Sequence, residues 1–68
     1  MVEVFKTNVV SKQEASLLVE VLQKKYPHAK INFDLDDCDR ILRMKGFVEA
    51  EEVEYLLTQK GYYCKVIL

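Results

Sequence analysis

Sixty-eight residues, half of them hydrophobic, fit one small domain with a single core and exclude a disordered chain. The 10 basic and 11 acidic residues nearly cancel, so no overall field draws the protein to nucleic acid or to a membrane surface. A chain this short buries only about 60% of the surface its unfolded form exposes, which leaves little room for a deep catalytic cleft.

No apolar run approaches the roughly 20 residues of a bilayer span, and the amino terminus has no basic segment of a secretory signal. Two cysteines, Cys38 and Cys64, are too few for a disulfide framework, so a cytoplasmic location is the expectation.

The stretch Val2-Glu3-Val4-Phe5-Lys6-Thr7 alternates and is rich in strand formers, which predicts a first strand. Val2 and Val4 point one way and Phe5 the other, and spacing alone leaves open which set faces the core. Ser11-Lys12-Gln13-Glu14 has the form of a capping box, with Ser11 accepting from the Glu14 amide and Glu14 reaching back to the Ser11 amide. Val10 and Ala15 stand where a weak hydrophobic staple would sit. Ala15, Leu18, Val19 and Leu22 recur at helical spacing, and Pro27 ends that helix just after Tyr26.

Ile31, Phe33 and Leu35 alternate with Asn32 and Asp34 as in a half-buried strand, and Asp36-Asp37-Cys38-Asp39 makes an acidic turn. Arg40 to Lys45 returns as a third strand, which Gly46 breaks. Ala50, Val53, Leu56 and Leu57 form the apolar stripe of a second helix that Lys60 and Gly61 close. Tyr62 to Leu68 supplies the last strand. This order predicts an α+β, ferredoxin-like βαββαβ sandwich, with both helices on one face of an antiparallel sheet.

Several stretches together resemble the heavy-metal-associated domain of copper chaperones and metal-transporting ATPases. They are Phe5-Lys6-Thr7-Asn8-Val9, Ile31 to Leu35, Ile41-Leu42-Arg43-Met44-Lys45-Gly46, Glu51-Glu52-Val53 and Lys60-Gly61-Tyr62. The resemblance covers nearly the whole chain. In that family the turn before the first helix carries a Met-x-Cys-x-x-Cys loop whose thiolates hold a soft metal ion. The correspondence places Val9 at the methionine and Ser11 and Glu14 at the two cysteines. A hydroxyl and a carboxylate cannot replace thiolates for Cu(I), so the resemblance implies a degenerate metal loop with no bound metal.

The remaining candidates suggest no catalytic site or cofactor. Cys64 shares a strand face with apolar neighbours and reads as a buried thiol. Cys38, among aspartates, reads as exposed and unreactive. The aspartates lack calcium-loop spacing, and His28 has no nucleophile spaced to partner it. Acids on the second helix, Glu49, Glu51, Glu52 and Glu54, suit its dipole and form an exposed acidic patch.

The sheet face away from the helices is the candidate interaction surface, carrying Ile41, Arg43, Lys45, Tyr63, Lys65 and Ile67, with Lys6, Val2 and Val4 beside them. The sequence thus points to a non-catalytic binding module with a protein partner or self-association. Two alternatives stand beside it: a metal carrier that shares Cys38 or Cys64 between chains, and a single-strand nucleic-acid binder on the open sheet. Against the second, the central strands carry no paired aromatics for base stacking.

Overall fold

A computed structural model describes residues 1–68 as β1 (Val2–Thr7), α1 (Lys12–Lys25), β2 (Lys30–Asp34), β3 (Ile41–Lys45), α2 (Ala50–Gln59) and β4 (Cys64–Val66). The four strands form one antiparallel sheet in the order β2-β3-β1-β4, with the two helices on one face: the ferredoxin-like arrangement.

Each element ends where local chemistry ends it. Ser11, in extended conformation, accepts a hydrogen bond from the Glu14 amide at 3.0 Å and so starts α1. At its other end Lys24 and Lys25 face the negative end of the helix dipole, and the Tyr26 amide closes onto the Leu22 carbonyl just before Pro27. α2 lacks a side-chain cap at Glu49 but carries Glu51 and Glu52 in its first turn. It stops at Gly61, whose φ of +93° only glycine adopts without cost. Gly46 ends β3 at φ +132°, where a side chain would also meet the Ala29 backbone at 3.4 Å.

The core lies between sheet and helices. Phe5, Leu42, Met44 and Cys64 from the sheet meet Val9 from the loop and Ala15, Leu18, Leu22, Val53 and Leu57 from the helices. Ile31, Phe33 and Leu35 pack half-buried around them, as their alternation predicts, and Tyr62 and Val66 join from the β4 side. The open question of β1 is settled by depth: Phe5 is fully buried, so Val2 and Val4 turn to the other face.

Four local expectations need correction. Val10 is 64% exposed, so no staple forms with Ala15. Glu14 does not reach the Ser11 amide; its carboxylate accepts from the Ser11 hydroxyl at 3.2 Å. Regular pairing of the last strand spans only Cys64–Val66, because the amides of Ile67 and Leu68 both turn to the single carbonyl of Val4. Two residues against one make a bulge, which leaves Leu68 exposed. Finally, Arg40 lies outside β3, with φ at +48°, because its amide closes a turn onto the Asp37 carbonyl at 2.9 Å. Its Nη1 donates to the Leu35 carbonyl at 2.9 Å, which holds that uncommon backbone in place.

Thr7 is the one buried polar residue. Its hydroxyl donates to the Arg40 carbonyl and accepts from the Val9 amide, joining the end of β1 to the turn before β3. Replacing it with valine keeps the volume and strands both backbone groups. Thr7→Val is expected to cost about 1–3 kcal/mol in denaturant unfolding, with Thr7→Ser retaining most of the stability. An unchanged unfolding midpoint for Thr7→Val would refute this role.

Candidate functional site

The loop between β1 and α1 is tied down at every residue that the metal-loop resemblance singles out. Val9, at the methionine position, is fully buried in the core. The Asn8 side-chain oxygen accepts from the Tyr63 amide at 2.8 Å, fastening the loop to β4. Ser11 caps the helix, and Glu14 carries a second load: its Oε2 accepts from the Tyr62 hydroxyl at 2.9 Å. That bond raises the Tyr62 pKa above the ordinary tyrosine value, because the neighbouring carboxylate favours the neutral phenol. The Ser11 hydroxyl and the Glu14 carboxylate therefore work as cap and clasp within the fold.

A matching clasp occupies the other end of the helix pair. Tyr26, at the exit of α1, donates through its hydroxyl to Glu52 in the first turn of α2. Lys25 Nζ stands 3.3 Å from the same carboxylate. Burial first, then the bond to Glu52, lifts Tyr26 to about 12. The hydrogen bond from Tyr26 holds Glu52 below the usual carboxylate range. The acidic patch of α2 is smaller than the sequence suggests: Glu52 is engaged here, and Glu54 Oε2 accepts from the Val66 amide at 2.7 Å. Glu49 and Glu51 remain exposed.

On the open sheet face, register sets the neighbours. Lys45 lies between Lys30 and Val2, Arg43 between Asn32 and Val4, and Lys65 beside Lys6. Tyr63 and Ile67 are about half exposed at the β4 margin, at 51% and 52%. Two ion pairs trim the positive charge, Arg43 with Asp34 at 3.8 Å and Lys6 with Asp39 at 3.5 Å. Ile41 is the correction here. It alternates with Leu42 and so belongs to this face, yet it is only 5% exposed and offers no contact area. Asp34 is its partner on β2, and the Lys6–Asp39 ion pair closes that corner. The aromatic of this face stands beyond the central strands, which carry valines and cations outward.

The two cysteines have opposite environments. Cys38 is exposed in the acidic turn, where possible ligand atoms of Asp37, Cys38 and Asp39 lie within 4.8 Å of one another. Part of that cluster already serves the turn, since Asp37 Oδ1 accepts from the Asp39 amide at 2.9 Å. Cys64 is buried, and desolvation, helped by the Glu54 charge, pushes its thiol up to about 12. Periodicity missed several exposed hydrophobics: Leu17 and Tyr55 on the outer sides of the helices, and Phe47, 90% exposed in the loop between β3 and α2. His28 is exposed in the turn after α1.

No family model matches the chain, and no curated protein or solved structure matches it either.

Two predictions follow from these environments. The Tyr26–Glu52 clasp contributes stability while the phenol is neutral and the carboxylate charged. A raised tyrosine pKa gives a contribution that is complete below 10.0 and is lost as pH climbs toward about 12. A depressed carboxylate pKa gives one that is lost as pH falls through the folded-state value. The thermal-midpoint gap between the native chain and Tyr26→Phe should therefore hold across neutral pH and close at both extremes; a gap independent of pH would contradict the clasp. Separately, a thiol reagent should reach Cys38 in the folded protein, slowly for a free thiol among carboxylates, and Cys64 only as the fold opens. Equal rates for the two would show that the Cys64 thiol is accessible.

Proposed function

We propose that this domain is a non-catalytic protein-binding module on a heavy-metal-associated frame whose metal loop has become a helix cap. The observation that supports it is the full engagement of Ser11 and Glu14: one starts α1, the other holds Tyr62, and neither offers a soft ligand. Absence of catalysis is supported by the origin of the perturbed groups. Tyr26, Glu52, Tyr62 and Cys64 all owe their shifts to burial or to bonds that close the fold, not to a shared cleft.

The binding surface in this reading is the open sheet face, with Arg43, Lys45, Lys65, Tyr63 and Ile67 beside Val2 and Val4. Cations interleaved with exposed apolar side chains suit an acidic protein partner with an apolar centre. A stacked single strand fits less well, because β1 and β3 turn no ring to the open face; Phe5, the one aromatic on them, is buried on the helix side. A second reading, a carrier that holds metal between two chains, draws on the donor cluster around Cys38. It requires Cys38 to act without Cys64, whose thiol stays protonated at any physiological pH.

Titration of the reduced protein with Cu(I) or Zn(II) against a competing chelator separates the two readings. The native chain is expected to bind neither ion more tightly than micromolar. Ser11→Cys/Glu14→Cys is expected to gain tight binding, while the metal-free variant loses the cap, at a cost of roughly 1 kcal/mol for the Ser11 change alone. Stoichiometric tight binding by the native chain, abolished in Cys38→Ser, would overturn the proposal in favour of the carrier.

A further inference from the structure

The two edges of the sheet are finished differently. β4 is three residues long with Lys65 at its centre, and it runs into the bulge at Ile67 and Leu68. Its Val66 amide is taken by Glu54 from α2. Such devices blunt an edge against pairing with another chain. β2 lacks the shortening, the bulge and the captured amide, and its one lysine, Lys30, stands at the end of the strand. It is a regular five-residue strand paired on one side only, with β3.

The free groups of β2 follow from the ladder. The Gly46 amide donates to the Met1 carbonyl at 2.8 Å, so these two residues form a bonded pair between β3 and β1. Antiparallel ladders alternate bonded and non-bonded pairs. Glu3 with Met44 and Phe5 with Leu42 therefore bond, and Ile41, Arg43 and Lys45 turn their main-chain groups to β2. Lys30, Asn32 and Asp34 answer them. That leaves Ile31 and Phe33 with amide and carbonyl directed outward from the sheet. Their side chains, half-buried, line a groove of about 540 Å³ between β2 and α1, which Ala15 and Val19 wall on the helix side.

The sequence of this edge, Lys30-Ile31-Asn32-Phe33-Asp34, complements itself when reversed. We propose that β2 pairs antiparallel with β2 of a second copy of this chain, about a two-fold axis at Asn32. In that register Ile31 and Phe33 of each chain exchange main-chain hydrogen bonds with Phe33 and Ile31 of the other. Lys30 falls opposite Asp34 of the second copy, and symmetry repeats the pair. Ile31 meets Phe33 across the strands on the helix side, extending the apolar groove from one copy into the next. Opposite charges and an aromatic beside a β-branched residue are both favourable cross-strand neighbours.

Alternative registers are disfavoured by groups already in use. A slip one way calls on Ala29, whose amide donates to the Tyr26 carbonyl at 3.1 Å. A slip the other way calls on Leu35, whose carbonyl accepts from Arg40 at 2.9 Å. The interface is isologous and closes at two chains. It leaves Tyr63, Lys65 and Ile67 free, so it stands whether or not the open face takes a partner.

Sedimentation velocity of the intact chain, from micromolar to near-millimolar concentration with chelator present, tests the proposal. A reversible monomer–dimer equilibrium is expected. Lys30→Asp sets like charges opposite each other twice and should weaken the dimer about tenfold or more; Lys30→Asp/Asp34→Lys should restore it. Circular dichroism of each variant confirms that the fold is retained. Hydrogen exchange supplies a second readout: the Ile31 and Phe33 amides should gain protection as concentration rises, while Asn32 should not change. A monomer throughout the range, a single charge reversal without effect, or a double reversal as weak as the single would each overturn the proposal. Protection that appears only when an extended foreign peptide is added would assign the edge to that peptide instead.

Discussion

Two tyrosine–glutamate hydrogen bonds hold the helix layer together, and they mirror each other. Tyr26 at the exit of α1 reaches Glu52, the third residue of α2; Tyr62 beyond the exit of α2 reaches Glu14, the third residue of α1. Each helix is thereby clasped at both ends to its neighbour, which fixes the antiparallel helix pair over the sheet. The two βαβ halves follow the same plan, and the clasps are where that plan closes on itself. Each carboxylate also sits in the first turn of its helix, where the dipole favours a negative charge, so one side chain serves helix and clasp together.

This constraint explains why the loop before α1 cannot be treated as a vacant site. Glu14 is held by a residue far along the chain, so a change at that position is felt at the start of β4 as well as at the helix terminus. Asn8 adds a second tie to the same segment through the Tyr63 amide. A loop anchored by Val9 in the core, by Ser11 at the cap and by Asn8 and Glu14 on β4's approach is committed to structure. The open sheet face takes no part in either clasp.

Much of the fold was legible because its signals are local. Alternation in Ile31–Leu35, helical spacing in Ala15–Leu22, a cap at Ser11 and a stop at Gly61 each carry their cause within a few residues. Depth is not local. Alternation placed Ile41 on the outer face correctly and said nothing of how far the neighbours on β2 and in the acidic turn would cover it. The same limit hid the second role of the glutamates. The bonds from Tyr26 to Glu52 and from Tyr62 to Glu14 span 26 and 48 residues, and no window on the sequence brings those partners together. The free β2 edge became visible only once the ladder showed which amides β3 had already taken.

The near-neutral net charge conceals an uneven distribution. Lys6, Lys30, Arg43, Lys45 and Lys65 lie on the sheet face, where Asp39 and Asp34 pair with Lys6 and Arg43, whereas Glu49, Glu51, Glu52 and Glu54 cluster along α2. The two sides of the domain thus differ in local charge although the chain as a whole is almost neutral, so net charge describes neither side. The charge a neighbour would meet therefore depends on the side from which it approaches.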